Sequence, residues 1–172
     1  MIPAENLKLV MLENVVRLYM AQSSTSTSLY QHWLTAKEEG QTTMNYAGHE
    51  LTVSELEPNG RLPYLMDTPS TKEAVDRTID AAYLIEKGIC SERQYAQIRN
   101  SSLMAFGIVS HNLARNGMVL VDTKTEHGIN ADGRIVAADE LYTLDSSRFW
   151  KLDDDGGLLT DRKSTRLNSS HV

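Results

Sequence analysis

Hydrophobic positions along the chain come in blocks separated by polar, glycine-rich or proline-rich stretches. The first block, NLKLVMLENVVRLYMAQ (Asn6 to Gln22), is rich in Val, Leu and Tyr and is open to a helix or a buried strand. The hydroxyl run SSTSTS (Ser23 to Ser28) can bury no face and reads as a loop. LYQHWLTAKEEG then reads as a short helix or turn ending at Gly40. EPNGRLPYLMDTPSTK carries three prolines and a glycine, which predicts an extended, turn-rich segment. The strongest helix signal is SERQYAQIRNSSLMAFGIVSHNLARNG. Ser91 can cap it, Leu103, Phe106, Gly107, Val109 and Leu113 follow helical spacing, and Gly117 stops it. MVLVDTKTEHG and RIVAADELY predict two strands, 118–126 and 134–142, around a turn at NADGR.

These elements make the fold class α+β: a mainly antiparallel sheet with packed helices, the 91–115 helix backing it. Within VDTKTE, Asp122, Lys124 and Glu126 alternate and so share one strand face. A polar face approached by Leu and Val reads as a cleft floor, although alternate polar residues on a strand are often only its wet side. Asp-x-Lys-x-Glu followed by Asp139-Glu140 suits metal and phosphate chemistry, because Mg²⁺ prefers carboxylate oxygens together with substrate phosphates.

Composition narrows the partners. The net charge of −6 gives the bulk of the protein no attraction for nucleic acid or an anionic membrane. A lone cysteine, Cys90, excludes an intrachain disulfide framework and reads as a small buried residue. No apolar run reaches membrane-spanning length and no signal peptide is visible, so the cytosol is the expected compartment. The histidines are scattered without metal-ligand spacing, and His111 reads as packing or partly exposed. Trp33, Trp150 and Met104 read as core. The last twelve residues, DRKSTRLNSSHV, lack apolar periodicity and reverse the charge balance. Asp161 to His171 back-translates to a sequencing-adapter string, so residues 1–160 are expected to form the domain and 161–172 a tail without packed contacts.

Five stretches in order resemble one family. LVDTKTEHG and DELYTLDSSRFW resemble the signature pair of the SAICAR synthetases (phosphoribosylaminoimidazole-succinocarboxamide synthases). ENVVRLYMAQSSTSTSLYQHW, YAGHEL and RLPYLMDTPSTK resemble the stretches that precede that pair. His127 stands where the family has Phe, Leu144 where it has Pro, and Val75 where it usually has His. Gln22 and Ser23 occupy the place of one glycine. The chain starts just before the family's VVR motif and enters the adapter-like tail soon after its DSSR motif, so it reads as an internal fragment truncated at both ends.

The resemblance implies the substrate and ATP lobe of a two-lobe, ATP-grasp-related fold. It implies an ATP-dependent ligase of purine biosynthesis that joins L-aspartate to CAIR through a phosphorylated carboxylate, with ATP and Mg²⁺ required. Carried over by motif, Glu126 and Asp139 hold Mg²⁺, while Asp122 and Lys124 sit by the reacting centre. Arg17, Ser24, Ser26, Lys72, Ser147 and Arg148 grip the substrate. The expected partners are CAIR, L-aspartate and ATP, with no nucleic acid and no membrane; the sequence carries no signal for oligomeric state. Two other readings stand beside this one: a non-catalytic fragment that retains only anion or nucleotide-substrate binding, and another ATP-dependent phosphotransferase on a related fold.

Overall fold

The computed structural model describes residues 7–71, 79–153 and 155–159. Strand β1 (Lys8–Tyr19) resolves the first ambiguity. Val10, Leu12, Asn14 and Val16 are buried on one side while Leu9 and Met11 are exposed on the other, a period of two rather than 3.6. The strand is flanked on both edges, by β4 (Arg61–Thr71) and β5 (Met118–Ile129), both antiparallel. The sheet runs β4-β1-β5-β7-β8, with β7 at Ser147–Leu152 and β8 at Leu158–Leu159. Strand β6 (Ile135–Ala138) pairs the far half of β5. Pro63 and Pro69 lie within β4, and its place at the edge of the sheet tolerates them.

Helix α1 (Leu29–Glu38) starts where the Ser28 side chain accepts from the Gln31 amide, and buries Leu29, Trp33 and Ala36. A hairpin of β2 (Thr43–Tyr46) and β3 (His49–Thr52) follows, turning through Ala47 and Gly48, both with positive φ. Together with Met20, Leu62 and Met66 they close a core of their own. Behind the sheet, α2 (Ala81–Glu86) and α3 (Glu92–Ala114) build the other side. Ser91 and Gln94 form a reciprocal capping box at the start of α3, and Gly117 at φ 66° follows its last turn. Tyr95, Ile98, Ser102 and Phe106 form the buried stripe of α3, and Phe106 packs with Val16 and Leu120. Cys90, Trp33 and Trp150 are buried as expected.

Three readings need correction. Met104 is 69% exposed, because it lies on the outer face of α3, across from Ser102 and Phe106. The strand expected over 134–142 ends at Ala138: Asp139 (φ 65°) and Tyr142 (φ 57°) are left-handed and break the ladder. The β2–β3 hairpin and β7, read only as motifs, are strands. The expected tail at 161–172 lies outside the described residues.

Candidate functional site

The register of three strands determines what lies on the face opposite α3. Glu13, Val15 and Arg17 of β1 stand across from Glu126, Lys124 and Asp122 of β5, and Arg148 of β7 stands across from Asp122. Paired residues in an antiparallel ladder point to the same side. The face therefore carries a band of charge: Glu13, Arg17, Asp122, Lys124, Glu126 and Arg148. One irregularity makes this possible. The β5–β7 register shifts between Leu120 and Asp122. Leu120 can thus join Val16 and Phe106 under α3 while Asp122 turns to the charged side.

The charges are paired rather than loose. Lys124 Nζ donates to Glu13 Oε1 at 2.9 Å and lies 4.0 Å from Glu126 Oε1. The Glu13 hydrogen bond raises the lysine pKa above its ordinary value against the opposing effect of burial; the Glu13, Glu126 and Asp139 charges add to the rise. Arg148 Nε donates to Asp122 Oδ1 at 2.8 Å and its Nη2 to Oδ2, a two-pronged grip on a buried carboxylate. Burial works against the Arg148 charge, but Asp122 outweighs it and the guanidinium pKa is raised. Asp122 and Lys124, expected at one centre, are thus each tied to a neighbour that sequence motifs did not pair with them. Glu13 opens the ENVVR stretch, but no role was expected of it.

Arg17 Nε donates to Thr68 Oγ1 at 2.9 Å, and Thr68 in turn donates to the Val15 carbonyl. No hydrogen bond holds the terminal nitrogens of Arg17 among the described residues. The Arg17 guanidinium sits 5.6 Å from the centre of the Tyr46 ring. Tyr46 donates its hydroxyl to the Thr27 carbonyl at 3.1 Å, which ties the Ser/Thr loop to the same corner. That loop is internally held as well: the Thr25 amide donates to Ser23 Oγ and Gln31 Nε2 to the Ser23 carbonyl. Ser24 and Ser26 are exposed on it.

Asp139 is exposed in the loop after β6, and its charge acts on Lys124. The loop is braced on both sides. Thr143 Oγ1 donates to Glu140 Oε2 at 2.6 Å, and Ser146 Oγ accepts from the Thr143 amide. The Tyr142 ring packs on the core under α3, where burial pushes its phenol up to about 12. Ser147 does not join the charged face. Its hydroxyl is buried against Thr123 Oγ1 at 2.7 Å, on the α3 side, because it alternates with Arg148. Lys72 lies outside the described residues.

A second polar group sits behind the sheet. Asp67, 4% exposed, accepts from the Tyr95 hydroxyl at 2.6 Å and Arg99 Nε at 2.9 Å, while the Asp67 carbonyl lies 2.8 Å from His49 Nε2. It anchors β4 to α3 and to the β2–β3 hairpin one residue from Thr68. Sequence reasoning passed over it because an Asp before a Pro-containing run resembles a turn signal.

Among the described residues no three His, Cys, Asp or Glu side chains cluster as a metal site, and no helix is long and apolar enough to cross a membrane. Glu126 and Asp139 are nonetheless two hard oxygen donors that act on one ammonium. Two carboxylates fit Mg²⁺, which keeps waters and takes its remaining oxygens from substrate phosphates.

Comparison with known proteins agrees with the family resemblance. The family model described as SAICAR synthetase matches residues 2–168. A phosphoribosylaminoimidazole-succinocarboxamide synthase from Legionella pneumophila (strain Lens) is 35% identical over 149 residues, covering 86% of this chain and 45% of that protein. A solved SAICAR synthetase (type 2) in complex with ADP superposes with a TM-score of 0.62 at 27% identity, over 85% of this chain and 52% of that one. The Saccharomyces cerevisiae SAICAR synthase complexed with SAICAR gives a TM-score of 0.62 at 25% identity, over 85% and 43%. The chain spans about half the length of the relatives it matches.

Proposed function

Because the chain belongs to the SAICAR synthetase family, we propose that its charged sheet face is the substrate floor of an ATP-dependent ligase joining L-aspartate to CAIR. The observation that supports this best is the register that sets Arg17, Asp122, Lys124, Glu126 and Arg148 on one face. In this reading Arg17, whose terminal nitrogens carry no hydrogen bond among the described residues, and the exposed hydroxyls of Ser24 and Ser26 receive the ribose phosphate. Arg148 holds the substrate pocket from the other side, and Lys72 meets an anionic group of a ligand. Ser147 acts indirectly, by tying the start of β7 to β5 beside Arg148.

Lys124 is the cation nearest the CAIR carboxylate. Its raised pKa keeps it charged at neutral pH, as neutralising an anion requires. The carboxylate takes the terminal phosphoryl group of ATP with release of ADP. The aspartate amine then displaces phosphate, forming the amide and losing a proton. Asp122, held by Arg148, lies beside this centre and orients it. Glu126 and Asp139 hold Mg²⁺, which shields the charge of the ATP phosphates when bound. The relative that carries ADP and the yeast relative that carries SAICAR support the choice of ligands. The rest of the family's length supplies the glycine-rich lobe over this floor in an ATP-grasp-like pair, and the reaction runs in the cytosol.

The half-length span favours one companion reading: by itself this 172-residue segment binds anions without turnover. The test of the assignment is CAIR affinity in a full-length member carrying this segment. Arg17→Ala and Arg148→Ala each remove a charge-assisted contact of roughly 1.5–3 kcal/mol and so weaken CAIR about ten- to hundredfold. Wild-type affinity in both variants overturns the pocket assignment.

A further inference from the structure

The geometry points to Tyr46 as the positioning residue of the anion pocket, setting Arg17 and the Ser/Thr loop relative to one another. This rests on the reading of Arg17 and the loop hydroxyls as the phosphate grip. Tyr46 closes strand β2, and only 3% of it is exposed. Its three contacts run in different directions. The ring face carries the Arg17 guanidinium at 5.6 Å. The hydroxyl donates to the Thr27 carbonyl at 3.1 Å, between the exposed Ser26 and the helix cap Ser28. The ring meets that of His32 of α1 in a T-shaped arrangement at 5.2 Å and 82°.

The physical consequence follows from what each group lacks elsewhere. Arg17 is fixed at Nε by Thr68, but a single hydrogen bond leaves the plane of the guanidinium free to turn about it. A ring face beneath the guanidinium removes that freedom, because the π-cloud attracts the flat cation. Ser24 and Ser26 have no hydrogen bond of their own among the described residues, so their place depends on the loop's anchors. The Tyr46–Thr27 bond is the anchor that links the loop to the arginine. Prearrangement of both halves reduces the ordering cost when a phosphate arrives.

The test uses the 172-residue chain, ribose 5-phosphate as probe, and two variants. Tyr46→Phe keeps the ring and loses the loop anchor; Tyr46→Leu loses both. Calorimetric titration is paired with the NMR shift of Arg17 Hε, which the ring current of Tyr46 moves. Tyr46→Phe should weaken the probe about threefold with the Arg17 shift kept, and Tyr46→Leu about tenfold with the shift lost. Both variants binding the probe like wild type, whatever happens to thermal stability, overturns the proposal; if Tyr46→Leu fails to fold, undiminished binding by Tyr46→Phe overturns it alone. Arg17→Ala is the control for the underlying reading. Absence of probe binding by wild type, or full binding by Arg17→Ala, refutes the phosphate grip and the Tyr46 role with it. Loss in Arg17→Ala without loss in the Tyr46 variants refutes only the Tyr46 role.

Discussion

His127 gives a prediction whose sign is fixed by the structure. It stands on β5 at 4% exposure, one residue past Glu126, and its Nδ1 is buried without a hydrogen-bond partner among the described residues. Burial lowers its pKa below the ordinary 6.5. The unfolded chain therefore binds a proton near pH 6.5 that the folded protein refuses until lower pH. Stability attributable to this group is fully present above about pH 6.5 and falls as pH drops toward the folded pKa. Its slope approaches ~1.4 kcal/mol per pH unit, the limit for one proton. That limit bounds the loss between pH 6.5 and pH 5 at about 2 kcal/mol. His127→Phe, the residue the family carries here, removes the proton site and the unpaired nitrogen. Relief of that nitrogen contributes roughly 1–3 kcal/mol, and the slightly larger ring in a packed core takes back about 1 kcal/mol. The assay is urea unfolding of wild type and variant at pH 8, 6 and 5, with the slope m checked for constancy. Carboxylate titrations common to both chains cancel in the difference. The expected result is a variant whose advantage grows as pH falls. An advantage independent of pH, or one that shrinks toward pH 5, refutes the reasoning.

Other predictions come from single contacts. Asp67→Ala removes a buried charge-assisted bond from Tyr95 and a half-exposed pair with Arg99, and should cost roughly 2–4 kcal/mol in urea unfolding; a loss under 0.5 kcal/mol contradicts it. Ser91→Ala breaks the capping box of α3 and should cost about 1 kcal/mol, with faster amide exchange confined to the first turn of that helix. Gly117→Ala forces a Cβ into the left-handed region at φ 66° and should cost about 1 kcal/mol in thermal melting. The 172-residue chain alone should form no SAICAR from CAIR, aspartate and ATP; turnover by it contradicts the companion reading.

Much of the scaffold was legible because its signals are local. The Ser91 cap, the 3.6-residue stripe of α3 and the glycine stop needed no distant contacts, and the alternation of Asp122, Lys124 and Glu126 put those three on one face. What stayed hidden depends on register. Glu13 becomes the partner of Lys124 only when β1 lies beside β5 with Glu13 opposite Glu126. Ser147 looked equivalent to Arg148 in the motif, but adjacent residues of a strand face opposite sides. Met104 fits the apolar count of α3 yet lies on the face opposite its buried stripe. The β6 boundary was lost because nothing in AADELY announces left-handed Asp139 and Tyr142.

The most direct measurement of the central claim is ATP-dependent amide formation by a full-length family member carrying this segment, with Glu126→Ala and Asp139→Ala. Both carboxylates act on Lys124 at the charged face, and both are assigned to the metal rather than to CAIR. The account predicts that SAICAR formation is abolished in each variant while CAIR still binds within a few fold of wild type. Turnover at the wild-type rate in either variant contradicts it.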